Sequence, residues 1–125
     1  MYLIDTNVFL EILLKQDKSG ISKNFLDKNK GSLKITDFSL HSIGLILLRN
    51  NKVAELQRFI IDVLPKINIL TLPLDKYKDL IFAAKNYNLD FDDAYQYLIA
   101  KTFGLEFVTM DKDFEKIQDI TIKYI

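Results

Sequence analysis

The chain has no cysteine, one histidine, two prolines and four glycines among its 125 residues. Without cysteine there is no disulfide frame, thiolate metal site or thiol nucleophile, which points to a cytoplasmic setting. With a single histidine, a metal site would have to be built from oxygen ligands, and such sets suit Mg²⁺ or Mn²⁺ rather than zinc. Glycine and proline are too sparse to form a linker, and no repeat or low-complexity tract interrupts the chain, so residues 1–125 are expected to form one domain. Stretches such as Leu45 to Leu48 are too short to cross a bilayer. The start at Met1-Tyr2-Leu3-Ile4 lacks the charged and long apolar regions of a signal peptide, so no membrane association is expected.

Excess charge is missing too. Seventeen basic residues balance seventeen acidic ones, so bulk electrostatics do not announce a nucleic-acid binder. The distribution is uneven. Between residues 15 and 34, six lysines, among them Lys15, Lys18 and Lys23, face only Asp17 and Asp27, whereas residues 86 to 119 hold eight acids against three lysines. One reading is two solvated faces; the other is an acidic, cation-requiring pocket flanked by a phosphate-attracting arm.

What is present is a 49% apolar composition, enough for a real core, arranged as short apolar runs alternating with helical spacing. Strands are predicted at residues 2 to 5, 33 to 36, 67 to 72, 106 to 109 and 120 to 125. Helices are predicted from Phe9 to Leu14, from a cap at Ser19 or Ser22 to about Asn29, and from a cap at Thr36 or Asp37 to about Asn50. Further helices are predicted from Val53 to Leu64, where Pro65 ends the run, from Pro73 to near Asn88, and from Phe91 to Phe103 with Gly104 as its stop. A single helical turn is expected at Asp113 to Ile117. This βαβ-like alternation predicts an α/β fold, a three-layer α/β/α sandwich around a mostly parallel sheet of four to five strands.

Two apolar runs finish with an aspartate: Tyr2-Leu3-Ile4-Asp5-Thr6-Asn7 and Phe107-Val108-Thr109-Met110-Asp111-Lys112-Asp113. A third acidic string, Phe91-Asp92-Asp93-Ala94, opens the last long helix. Singly, each has a dull explanation, since Asp5, Asp92 or Asp93 could cap a helix and Asp111-Lys112-Asp113 could be turn chemistry. Jointly they place acids at the carboxyl edge of an open sheet, where such folds bind ligands. Two carboxylates about 4 Å apart repel by roughly 4 kcal/mol near a protein surface, so a cluster implies a bound cation or a shared proton.

In these three strings the chain resembles the PIN-domain family, small metal-dependent ribonucleases that include the VapC-type toxins of toxin–antitoxin pairs. The matching residues are Leu3-Ile4-Asp5-Thr6-Asn7-Val8, Asp92-Asp93-Ala94 and Val108-Thr109-Met110-Asp111-Lys112-Asp113-Phe114, and their order and spacing span nearly the whole chain. The resemblance implies that Asp5, Asp93 and Asp111 hold Mg²⁺ or Mn²⁺ and carry catalysis, with Asp113 and Thr109 close by. Beside them Asn7, Asp92 and Asp113 are candidates for outer ligands, and Thr6 for an auxiliary place. It also implies an RNA substrate, an antitoxin partner and a homodimer; the lysine-rich arm with Lys15, Lys18 and Lys23 is then the expected contact to RNA phosphates.

One element departs from the family pattern. The helix after the second strand usually supplies a glutamate, and in Ile35-Thr36-Asp37-Phe38-Ser39-Leu40-His41-Ser42-Ile43 that position is Ser42, beside His41. The departure sets a metal-dependent ribonuclease against a PIN-like RNA- or protein-binding module that has lost hydrolysis. A phosphoacceptor domain of receiver type also sets acids at strand ends, but presents its paired acids early in the chain, whereas Asp92-Asp93 come late.

Overall fold

The computed structural model describes residues 1–125. Five short apolar segments become strands: β1 (Tyr2–Ile4), β2 (Leu33–Thr36), β3 (Asn68–Leu70), β4 (Glu106–Thr109) and β5 (Ile122–Tyr124). All pair in parallel in the order β3-β2-β1-β4-β5, with Ile4 beside Val108 and Thr36 beside Leu70. The helices are α1 (Thr6–Leu13), α2 (Ser19–Lys28), α3 (Asp37–Arg49), α4 (Val53–Arg58), α5 (Tyr77–Asn86) and α6 (Phe91–Phe103). Strand order builds outward from β1 through β2 to β3, then returns across β1 to β4. That reversal opens a crevice at the carboxyl ends of β1 and β4.

Both faces of the sheet are covered, which is why its strands read as continuous apolar runs. Alternation along each strand divides the side chains between two cores. Leu3 and Phe107 pack with Leu80, Ala83, Leu98 and Ile99 of α5 and α6. Their neighbours Ile4 and Val108 pack with Val8 and Phe9 of α1, Phe25 of α2, and Ile43 and Leu47 of α3. The three-layer α/β/α architecture is therefore the one expected, with five strands and no antiparallel pair.

Several local expectations need correction. Neither Ser19 nor Ser22 caps α2, whose first turn follows Lys18 without a side-chain bond, and Ser22 is instead fully buried. The single helix expected from Val53 to Leu64 changes type, passing from α4 into a π turn at Phe59–Val63 and a 3₁₀ turn at Leu64–Lys66. Pro65 has no N–H to close an α turn on the Ile61 carbonyl, so the α pattern cannot continue through it. The first helix begins at Thr6, directly after Asp5, and the late turn is a 3₁₀ turn at Lys112–Phe114. Of the candidate caps for α3 it is Thr36 whose side chain accepts from the Ser39 N–H. That helix is not fully buried, since Leu45 and Leu48 remain 52% and 56% exposed.

Two glycines separate backbone need from helix propensity. Gly104 ends α6 in the left-handed region at φ 64°, while Gly44 lies inside α3, and a Cβ would meet nothing within 4 Å at either place. Gly44→Ala should therefore raise stability by about 0.5–1 kcal/mol and Gly104→Ala lower it by about 1 kcal/mol, both read by urea denaturation.

Candidate metal centre

Strand alternation decides which side chains line the crevice. Leu3 faces α6, Ile4 faces α1, and Asp5, still extended at φ −65° and ψ 147°, returns to the α6 side. The same count turns Thr109 to that side after Phe107, and Thr36 lies on it at the end of β2. From above, α6 lowers Asp93 in its first turn and, one turn further, Gln96. Beyond β4, Asp111 Oδ1 accepts the Asp113 N–H at 2.9 Å, which folds Asp113 back over the crevice.

Three carboxylates meet there. Oxygens of Asp93, Asp111 and Asp113 all lie within 4.8 Å of one another, and a second such group joins Asp93 to Asp90 and Asp92. Asp5 lies deeper and is only 5% exposed. Gln96 Nε2 donates to its Oδ1 at 3.0 Å and Thr109 Oγ1 to its Oδ2 at 2.7 Å. Thr109 Oγ1 accepts in turn from the Asp111 N–H at 3.0 Å, tying the floor of the pocket to its rim.

No lysine or arginine balances these charges. The three ion pairs of the molecule join Lys23 to Asp27, Lys101 to Asp119 and Lys112 to Glu115. Lys112, although between Asp111 and Asp113 in sequence, turns away over the Tyr124 ring, 4.4 Å from its centre. The cost shows in the titration of the acids. Burial, with added repulsion from Asp92, Asp5, Asp111 and Asp90, pushes the Asp93 carboxyl up to about 7. Burial also raises Asp5, against the hydrogen bonds of Thr109, Gln96 and the Thr6 backbone, and the Asp111 charge raises it further. An oxygen-only pocket with unneutralised negative charge fits a hard divalent cation.

The capping explanations separate cleanly. Asp5 and Asp90 occupy the positions before α1 and α6 without a side-chain cap bond, while Asp92 and Asp93 fall inside the first turn of α6, near the positive end of its dipole. Only Asp111 has a turn role, and it uses one oxygen. Thr6 Oγ1 donates to Ser39 Oγ at 2.8 Å beneath the pocket. Asn7 and His41 are exposed, and Ser42 is half-buried one turn along α3 from Ser39. Glu11 does not join the cluster; its carboxylate accepts the Lys18 N–H at 3.1 Å.

Of the lysines, Lys15 is exposed beyond the far end of α1, about 12 Å of helix away from Asp5. Lys18 Nζ lies 3.5 Å from the Ile125 carbonyl, and Lys23 is paired with Asp27 at 2.9 Å. Gln96 and Ser39 went unread in the sequence, and Thr36 was read only as a helix cap. The available signal was a glutamine three residues after Asp93 on the otherwise apolar Ala94 to Ala100 face.

A family model described as the PIN domain matches residues 2–120. No curated protein sequence matches the chain significantly. Solved structures similar to it include a toxin–antitoxin complex from Klebsiella pneumoniae, 22% identical over 97% of this chain and 96% of that one, with a TM-score of 0.77. FitAcB from Neisseria gonorrhoeae is 20% identical over 98% and 96% of the two chains, at a TM-score of 0.76. VapC20 from Mycobacterium tuberculosis, described as a sarcin-ricin loop cleaving toxin, is 13% identical over 97% and 99%, at a TM-score of 0.80.

The raised acids make the metal-free protein sensitive to pH. Because Asp93 titrates near 7 when folded and near 3.8 otherwise, the folded state holds its proton more tightly, so this stability is present below about pH 4 and lost as pH rises to 7. In EDTA the wild type should therefore melt higher at pH 5 than at pH 8. Asp93→Asn should reduce that difference, leaving the part due to Asp5, and raise the pH 8 melting temperature by about 4 °C, or about 1 kcal/mol after solvent screening of this half-exposed group.

Proposed function

The chain belongs to the PIN-domain family, and on that premise we propose that it is a Mg²⁺- or Mn²⁺-dependent endoribonuclease and the toxin of a toxin–antitoxin pair. The observation that carries this reading is the convergence of Asp93, Asp111 and Asp113 above the buried Asp5, with no basic side chain among them. In this reading the three rim acids hold the cation and Asp5 faces it from beneath. When bound, the cation polarises a phosphoryl oxygen, lowers the pKa of a water and offsets charge on the leaving oxygen.

The chain's own residues supply the rest. Asp111 is held by the Asp113 N–H through one oxygen and keeps the other free for the pocket. The neighbouring carboxylate outside that set, Asp92, accepts the proton of the water that attacks phosphorus while the bond to the leaving oxygen breaks. The lysines meet RNA only if the strand runs along α1, since Lys15 and Lys18 lie past its far end; Lys23 shares its charge with Asp27. Exposed apolar side chains on α3 and the turns after α4, Leu45, Leu48, Ile60 and Ile61, offer surface to an antitoxin or a second copy. No helix is long and apolar enough to cross a membrane, and a cytoplasmic site of action belongs to the same proposal.

Ser42, where the family pattern has a glutamate, supports the second reading, a PIN-like binding module without hydrolysis. The two are separated by melting and cleavage assays. A metal-dependent enzyme should melt several degrees higher in millimolar Mn²⁺ and cut mixed RNA, and Asp93→Asn should abolish both effects while folding normally. Ser42→Glu, by supplying the acid that the family pattern has at this position, should tighten Mn²⁺ binding and speed cleavage. Wild-type protein that gains no stability from Mn²⁺ and leaves RNA intact would favour the binding module.

A further inference from the structure

Gln96 is the least expected side chain of the core. It lies in the Ala94 to Ala100 run of α6, buried along its whole length, and is 2% exposed. Asp93 stands three residues before it on the same helix face. Its Nε2 donates to Asp5 Oδ1 at 3.0 Å, and its Oε1 accepts from Ser39 Oγ at 3.2 Å. An amide has two ends of opposite polarity, so the Ser39 proton on Oε1 turns Nε2 toward Asp5.

The direction of the chain is fixed further back. Ser39 Oγ receives protons from Thr6 Oγ1 at 2.8 Å and Thr36 Oγ1 at 3.0 Å, which leaves its own proton for Gln96. Every donor therefore runs toward one carboxylate, and Thr109 closes the opposite oxygen of Asp5 from β4. Leucine could occupy much of this space between α6 and β1 without burying a polar atom. Packing alone gives no reason for an amide here; Asp5 does.

We propose that Gln96 is a positioning residue for Asp5: with Thr109 it anchors both carboxylate oxygens, so that the acid at the base of the pocket presents one fixed plane to a cation held by Asp93, Asp111 and Asp113. The inference rests on the metal-centre reading given above. Side chains that orient ligands in this way change metal affinity by about 10–100-fold when removed, because a ligand free to rotate must be ordered at the moment of binding.

The test is Mn²⁺ binding to the full chain, followed by calorimetry for the wild type, Gln96→Leu and Ser39→Ala, with melting in EDTA run alongside. Gln96→Leu should weaken Mn²⁺ binding by about tenfold or more. Ser39→Ala keeps the Asp5 contact but lets the amide rotate, and should weaken binding less, in the same direction. A purely structural role would lower melting temperatures and leave the affinity of both variants unchanged, which would overturn the proposal. If Gln96→Leu does not fold, unchanged affinity in Ser39→Ala overturns it alone. A wild type that binds no Mn²⁺ removes the metal-centre reading itself, a different result from variants that bind as well as a competent wild type.

Discussion

Burial of Asp5 and Asp93, with the charges of Asp90, Asp92 and Asp111 added, is the cost that the rest of the fold has to offset. No lysine or arginine of the chain pairs with these acids to reduce it. What holds the acids together is rigid backbone. Asp5 and Asp111 follow strands that are paired residue by residue, Ile4 with Val108, and sealed on both sides by fully buried Leu3, Ile4, Phe107 and Val108. Stability is thus given up locally at one edge and supplied by the two cores beneath it.

The helix that brings Asp93 is fixed more firmly than packing requires. Tyr95 accepts the Leu72 N–H at 3.0 Å and donates to Asp37 at 2.7 Å, joining α6 to α3 and to the segment after β3. Two residues on, Tyr97 donates to Asp119 at 2.7 Å, and Lys101 pairs with the same carboxylate at 3.0 Å. Gln96, between the two tyrosines, points the other way, to Asp5. Three successive side chains therefore anchor α6 to three different parts of the chain, and the acid in its first turn cannot drift from those on β1 and β4.

The parts of this arrangement visible in the sequence are those that a single segment announces by itself. Phe91 to Phe103 with Gly104 behind it is an apolar helix with a left-handed stop, and Glu106 to Thr109 a buried strand, whatever lies beside them. The three acidic strings were visible for the same reason. Relations between segments were not. Gln96 reads as an ordinary polar helix residue until α6 is laid over β1, and Asp113 joins the rim, with Asp5 below it, only because the 3₁₀ turn at Lys112–Phe114 folds back. The uncapped start of α2 and the π turn at Phe59–Val63 were misread because serine at a helix start and apolar spacing before Pro65 are weak signals that tertiary packing overrides.

In the proposed function, the rim acids and Asp5 form a cation pocket. Crystals grown or soaked with Mn²⁺ and measured for its anomalous scattering test this most directly. A peak within about 2.5 Å of oxygens from Asp93, Asp111 and Asp113 is predicted, with Asp5 facing it from below. No peak at millimolar Mn²⁺, or one held only by the exposed Asp90 and Asp92, would contradict it.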